Sequence, residues 1–273
     1  MLRMESESGW WLITHPDHAR LAGAFAEAWG NERFRKPEPR ARVLFGITSH
    51  DDGWLARDAH PSITREGKPS AFSTELVGKY SAFEEIDIQD YLAVRERAVR
   101  IIAEQDPYAA LLISMHTYSL LTEHADRNTI STEGLVFLDS SLDRQRAFQK
   151  ELITAIDEDD ALEDGEKSSQ TIEEHFRLLQ ACDNLSLLSC VAFDRPANLL
   201  HPLPLNDGSN SRVEVIPFGL RAFRLSPWPF SEEQLSFEFP ARHIAGKRFR
   251  TSKELDEAFH AAPIESLSVR LTA

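Results

Sequence analysis

The chain has 273 residues, 42% of them hydrophobic, which is enough for a buried core and excludes disorder as its default state. A formal charge of −14 disfavours nucleic acid and anionic membranes as main partners, because both attract basic surfaces. The two cysteines, Cys182 and Cys190, fall in one predicted helix at a spacing that lets them neither pair nor share a zinc ion.

The first residues carry no apolar run of the signal-peptide kind, and no stretch approaches the length of a membrane span, so a cytoplasmic protein is expected. Residues 9–14 read as a short strand or an extended lead-in. Pro16 and Asp17 suit the first turn of a helix that runs to Trp29 and stops at Gly30-Asn31. A second helix is expected from about Ala41 to Asp51, ended by Gly53. Residues 54–86 show no sustained period and read as a long loop of the kind that often serves function.

A third helix is expected from about Asp87, with Tyr91, Leu92, Val99 and Ile102 on its apolar stripe, and a fourth from Pro107 through Leu120. Further helices are expected over Leu142–Ile156 and Gln170–Cys190, separated by an acidic, solvated loop. After Phe193 prolines and glycines punctuate short segments. Residues 213–216, 236–239 and 267–271 read as strands, with a serine-capped helix at Ser252–Ala261. The expected division is a helical domain over 1–193 and a β-rich appendage over 194–273. The segment Pro227-Trp228-Pro229-Phe230 is expected to staple the appendage to the helices.

The sharpest signal is where ionisable residues fall on helical stripes. Asp183 sits in the middle of the face formed by Ile172, Phe176, Leu179, Leu187 and Cys190. His18 shares a face with Leu21, Ala22, Phe25 and Trp29. His50 and Asp51 end the stripe of Val43, Leu44 and Ile47, and His116 lies beside Leu112 and Met115. A buried carboxylate is costly unless it is paired or bound to a metal. One histidine on an apolar face is more often a hydrogen-bonded core residue than a ligand. Five such residues on four helices point instead to metal ligands converging in the core. Imidazoles and carboxylates suit iron, zinc, manganese or nickel, as one ion or two, and such a mixed set leaves positions open for water.

The order His18, then the doublet His50-Asp51, then His116, then Asp183 resembles the HD superfamily of helical metal-dependent phosphohydrolases. The chain is more closely similar to an uncharacterised bacterial group, domain-of-unknown-function family 3891. That likeness rests on Leu12-Ile13-Thr14, Asp17-His18-Ala19, His50-Asp51-Asp52-Gly53-Trp54, Ser114-Met115-His116, Cys182-Asp183-Asn184-Leu185-Ser186-Leu187 and Pro227-Trp228-Pro229-Phe230. These resemblances imply a mainly α fold, an HD-like helical bundle with a small β-rich (α+β) C-terminal appendage. They imply His18, His50, Asp51 and Asp183 as metal ligands, with His116 holding a second ion or the substrate.

The implied activity is a metal-dependent hydrolase, a phosphohydrolase acting on a small anionic molecule through metal-activated water. Asp52, after the doublet, could orient that water as a general base or could cap the helix end. A basic cluster for gripping phosphate is not evident in the sequence. The alternatives are an HD-like diiron oxygenase, which uses the same ligand types, and a non-catalytic metal-containing binding protein. The expected partner is a small-molecule substrate, with no nucleic acid and no membrane.

Overall fold

The structure is a computed structural model describing residues 1–77 and 88–273. Two short strands, β1 (Leu2–Glu5) and β2 (Gly9–Ile13), form an antiparallel hairpin that sets Leu2 opposite Ile13. Thr14 converts strand to helix. Its hydroxyl accepts a hydrogen bond from the Asp17 N–H at 3.1 Å, and Pro16 fills the first turn, where an N–H has no partner. The helices that follow are α1 (His15–Ala28) and α2 (Arg40–Ser49). They pack closely because Gly23 has no side chain; a Cβ there would overlap the Thr48 hydroxyl.

A 3-10 turn (Asp52–Trp54) and a one-turn helix, α3 (Leu55–Asp58), open the expected long loop. The expected helix start at Asp87 lies outside the described residues, within which α4 covers Ile88–Ala103. Asp106 caps α5 (Pro107–Ser119) by accepting from the Ala109 N–H at 3.0 Å. The α6 helix (Thr132–Asp157) starts well before the expected Leu142, because Ser131 caps it at Gly134 and Leu138 continues the buried stripe. A short α7 (Asp164–Lys167) precedes the long α8 (Ser169–Cys190). Apolar residues lie all round α5, and it packs on α2, α4, α6 and α8 together.

The expected mainly α architecture is overturned: the chain folds as α+β. A seven-stranded mixed sheet runs in the order β1-β2-β8-β9-β7-β6-β3. Its later strands are β3 (Ala197–Asn198), β6 (Glu214–Gly219), β7 (Ala222–Ser226), β8 (Gln234–Ala245) and β9 (Ile264–Thr272). All neighbours are antiparallel except β7 and β9, which are parallel. A separate pair joins β4 (Leu203–Pro204) to β5 (Asn210–Ser211), and α9 (Ser252–Ala261) links β8 to β9. Local periodicity could not show this sheet, because its joint is the pairing of Gly9–Leu12 with residues 242–245, which are adjacent only in space.

Helices and sheet share one core. The Phe25 ring meets Phe237 edge-to-face at 4.9 Å, and Trp29 meets Phe230 at 5.6 Å. The expected staple is made by Phe230 and by backbone: the Asn31 amide donates to the Trp228 and Phe230 carbonyls, at 3.0 Å each. Among the described residues no helix is long and apolar enough to cross a membrane.

Candidate metal centre

His18 lies one turn into α1, directly after the Thr14 cap, so the strand-to-helix switch fixes which way its ring turns. His50 caps the C-terminus of α2 and still has helical angles; at Asp51 the chain leaves the helix, with φ −117° and ψ 16°. Gly53 lets this turn approach α4, since a Cβ there would press on Ala98 and on the Val94 carbonyl. His116 comes from α5 and Asp183 from α8.

The structure brings all five residues together, each at most 6% exposed. Asp51 Oδ2 lies 3.0 Å from His18 Nε2 and 3.9 Å from His50 Nε2. Asp183 Oδ1 lies 3.3 Å from His50 Nε2 and 3.7 Å from His18 Nδ1, and its Oδ2 lies 3.8 Å from His116 Nε2. The ligand atoms form two overlapping sets able to hold a metal ion, His18–His50–Asp51 and His50–His116–Asp183.

The outer nitrogens decide what the inner ones can do. His50 Nδ1 donates to the Ile47 carbonyl at 2.7 Å. His18 Nδ1 lies 2.9 Å from Ser186 Oγ, whose own hydrogen goes to the Asp183 carbonyl at 2.8 Å, so the serine oxygen accepts from the imidazole. With Nδ1 protonated in both rings, a neutral imidazole turns its Nε2 lone pair inward. His50 Nε2 is buried without an aligned hydrogen-bond partner, although a carboxylate oxygen stands 3.3 Å away. His18 Nε2 is hydrogen-bonded to Asp51 Oδ2 at 3.0 Å and His50 Nε2 faces the Asp183 carboxylate, so both places call for positive charge. In the protein alone a proton supplies it: burial pushes His50 down, but the Asp51 and Asp183 carboxylates outweigh this and lift its pKa to about 9. A metal ion would supply it better, and the donor set fits one.

Burial pushes Asp51 up, but Arg95, His50 and His18 outweigh it and hold its pKa well below the usual carboxylate range. Asp183 is likewise held low by its histidines against burial. His116 is pushed by burial to about 3 and stays neutral.

Asp52 stands outside both sets. Its carboxylate is bound by Arg20, which also donates to the Thr48 carbonyl at 2.6 Å. His15 is near but turned away, with Nδ1 3.0 Å from Asp58 Oδ2 and its ring 4.8 Å from that of Trp54.

The sequence reading missed Arg95. Its guanidinium bonds Asp51 through Nη1, stacks over Trp54 at 5.2 Å and Tyr91 at 5.5 Å, and is 8% exposed. The signal was present: Arg95 continues the stripe of Tyr91, Leu92, Val99 and Ile102, as Asp183 does in α8.

One further set capable of holding an ion, His60, Asp256 and His260, is largely exposed, and His260 Nε2 already bonds the Ala59 carbonyl at 2.9 Å.

Fold and site together define an α+β protein whose buried histidines and aspartates could hold a metal ion. Residues 1–246 match the family model described as "Protein of unknown function (DUF3891)", and the chain belongs to that family. No curated protein and no solved structure matches it.

Proposed function

We propose that the protein is a metal-dependent hydrolase that attacks a small anionic substrate, of the phosphoester class, with water activated at the His–Asp cluster. The observation that carries this reading is the inward turn of two Nε2 atoms onto two buried carboxylates. His18, His50, Asp51 and Asp183 would hold one ion of iron, zinc, manganese or nickel, and His116 with Asp183 and His50 offers the place for a second. A divalent ion with an open position supplies Lewis acidity and lowers the pKa of bound water towards neutrality.

The chain's own residues do the rest. Ile47 and Ser186 keep the two imidazoles in the metal-binding tautomer. Arg95 beside Asp51 supplies the cation that an acidic protein needs in order to receive an anion. The order of the histidines and aspartates, similar to that of the HD phosphohydrolases, supports the same chemistry, although the helical-bundle architecture of that superfamily does not carry over.

The test pairs elemental analysis of protein purified without added metal with a panel of phosphomonoesters and phosphodiesters. Metal-dependent turnover that is lost in His50→Gln is the expected result. A metal-free protein, or an iron-loaded one that consumes dioxygen and hydrolyses no ester, would replace this reading.

A further inference from the structure

Away from the buried centre, His60 stands in the loop after α3, and Asp256 and His260 lie four residues apart on one face of α9. Asp256 Oδ1 is 3.2 Å from His60 Nδ1 and 3.4 Å from His260 Nε2. Ligand atoms held at 2.0–2.1 Å from a tetrahedral zinc ion stand about 3.3–3.4 Å from one another. Two edges of that tetrahedron are therefore already in place, and all three donor atoms lie within 4.8 Å of one another. The His60 and His260 side chains are 75% and 51% exposed, so both are free to rotate and close the third edge.

The backbone beneath the site is fixed. The loop is hydrogen-bonded to both ends of α9: the Ile63 N–H donates to Ser252 Oγ at 3.3 Å, and His260 Nε2 donates to the Ala59 carbonyl at 2.9 Å. Under these bonds Leu255, Phe259 and Ile63 pack with Trp10, Leu12 and Ile244 in a small core. Binding an ion here orders three side chains and no chain segment, which keeps its entropic cost low. His260 gives the one hydrogen of Nε2 to Ala59, so its approach to Asp256 has no proton between the two atoms.

We propose that His60, Asp256 and His260 form a second, surface metal site for a dication of the zinc class, which clamps α9 to the loop after α3. Two imidazoles and one carboxylate are a donor set that zinc takes with water in the fourth position. When the ion binds, the His260 hydrogen moves from Nε2 to Nδ1, and the Ala59 carbonyl accepts from that water instead. The site shares no residue with the buried centre and stands whether or not that centre holds an ion. Its exposure makes the ion exchangeable, so the clamp follows the free zinc concentration.

The experiment is zinc titration of the chelated full chain by chelator competition, with hydrogen exchange measured in parallel. The wild type, Asp183→Asn, and each of these carrying His60→Ala are compared; His60 is exposed enough for its loss to leave the fold intact, which circular dichroism melts establish. His60→Ala should take up one zinc fewer than its parent in both backgrounds, so the loss is read separately from any ion at the buried centre. Zinc should slow exchange in α9 and at residues 59–63 in both parents and in neither His60→Ala variant. Equal zinc uptake with and without His60 overturns the surface site and leaves the buried centre untouched. Zinc that binds through His60 only by joining two chains, seen as a dimer in sedimentation, also overturns the clamp.

Discussion

Replacing Asp183 by asparagine keeps the size of the side chain and removes one negative charge from the middle of the cluster. In the structure its two oxygens reach three imidazoles, at 3.3 Å from His50, 3.7 Å from His18 and 3.8 Å from His116, so this carboxylate completes the His50–His116–Asp183 set and also faces His18 of the other. Two unit charges about 4 Å apart attract by roughly 4 kcal/mol at an effective dielectric of about 20. With the unit-charge figure as a floor for a divalent ion, Asp183→Asn should lower metal affinity by about a thousandfold or more. The assay is chelator competition with zinc and with manganese, alongside elemental analysis of protein purified without added metal. Circular dichroism melts establish that the variant is folded. An asparagine variant that is folded and retains wild-type occupancy would refute the assignment of the centre.

Ser186→Ala removes the acceptor for the His18 Nδ1 hydrogen, and should reduce metal affinity about tenfold to a hundredfold in the same competition assay. Gly23→Ala forces a methyl group against Thr48 where α1 meets α2, and should lower stability by about 1–3 kcal/mol, read as a lower melting temperature. His175, hydrogen-bonded to the Tyr108 hydroxyl at 2.8 Å, has its pKa lowered by burial and by Arg35 from 6.5 to about 4. The unfolded chain therefore takes up this proton below pH 6.5 and the folded protein only below about 4. Stability is full above 6.5 and falls between those values, by on the order of 3 kcal/mol. Urea unfolding from pH 4 to 7 should show a flatter slope for His175→Gln than for the wild type; equal slopes would exclude His175 as the source.

The candidate site was more legible in the sequence than the fold. Asp183, His18, His50, Asp51 and His116 stood out because a polar residue on an apolar helical stripe is a local, one-dimensional anomaly, and burial draws such stripes to one core. Arg95 obeys the same rule, but an arginine on a helical stripe ordinarily carries its charged head out to water, and only the buried carboxylate of Asp51 calls it inward. The sheet had no comparable local signature. β1, Leu2-Arg3-Met4-Glu5, alternates apolar with charged residues, but over only four positions, and residues 9–14 read as either a short strand or a lead-in because their partner strand lies at 242–245. The early start of α6 was hidden by Gly134, which discourages helix by propensity yet here donates its N–H to the capping Ser131.

A single residue, Thr14, separates β2 from α1, and β2 is held in register by β8, with Trp10 opposite Ile244 and Leu12 opposite Arg242. The helix that carries His18 is therefore moored to a strand made after all five histidines and aspartates of the centre. Pairings this distant along the chain close late, because the entropy of the intervening loop must be lost before the contacts form. The position of His18 thus depends on a contact of high sequence separation, the kind whose closure costs chain entropy before it is repaid. A metal ion that required the assembled cluster would leave the early kinetic phases of refolding unchanged.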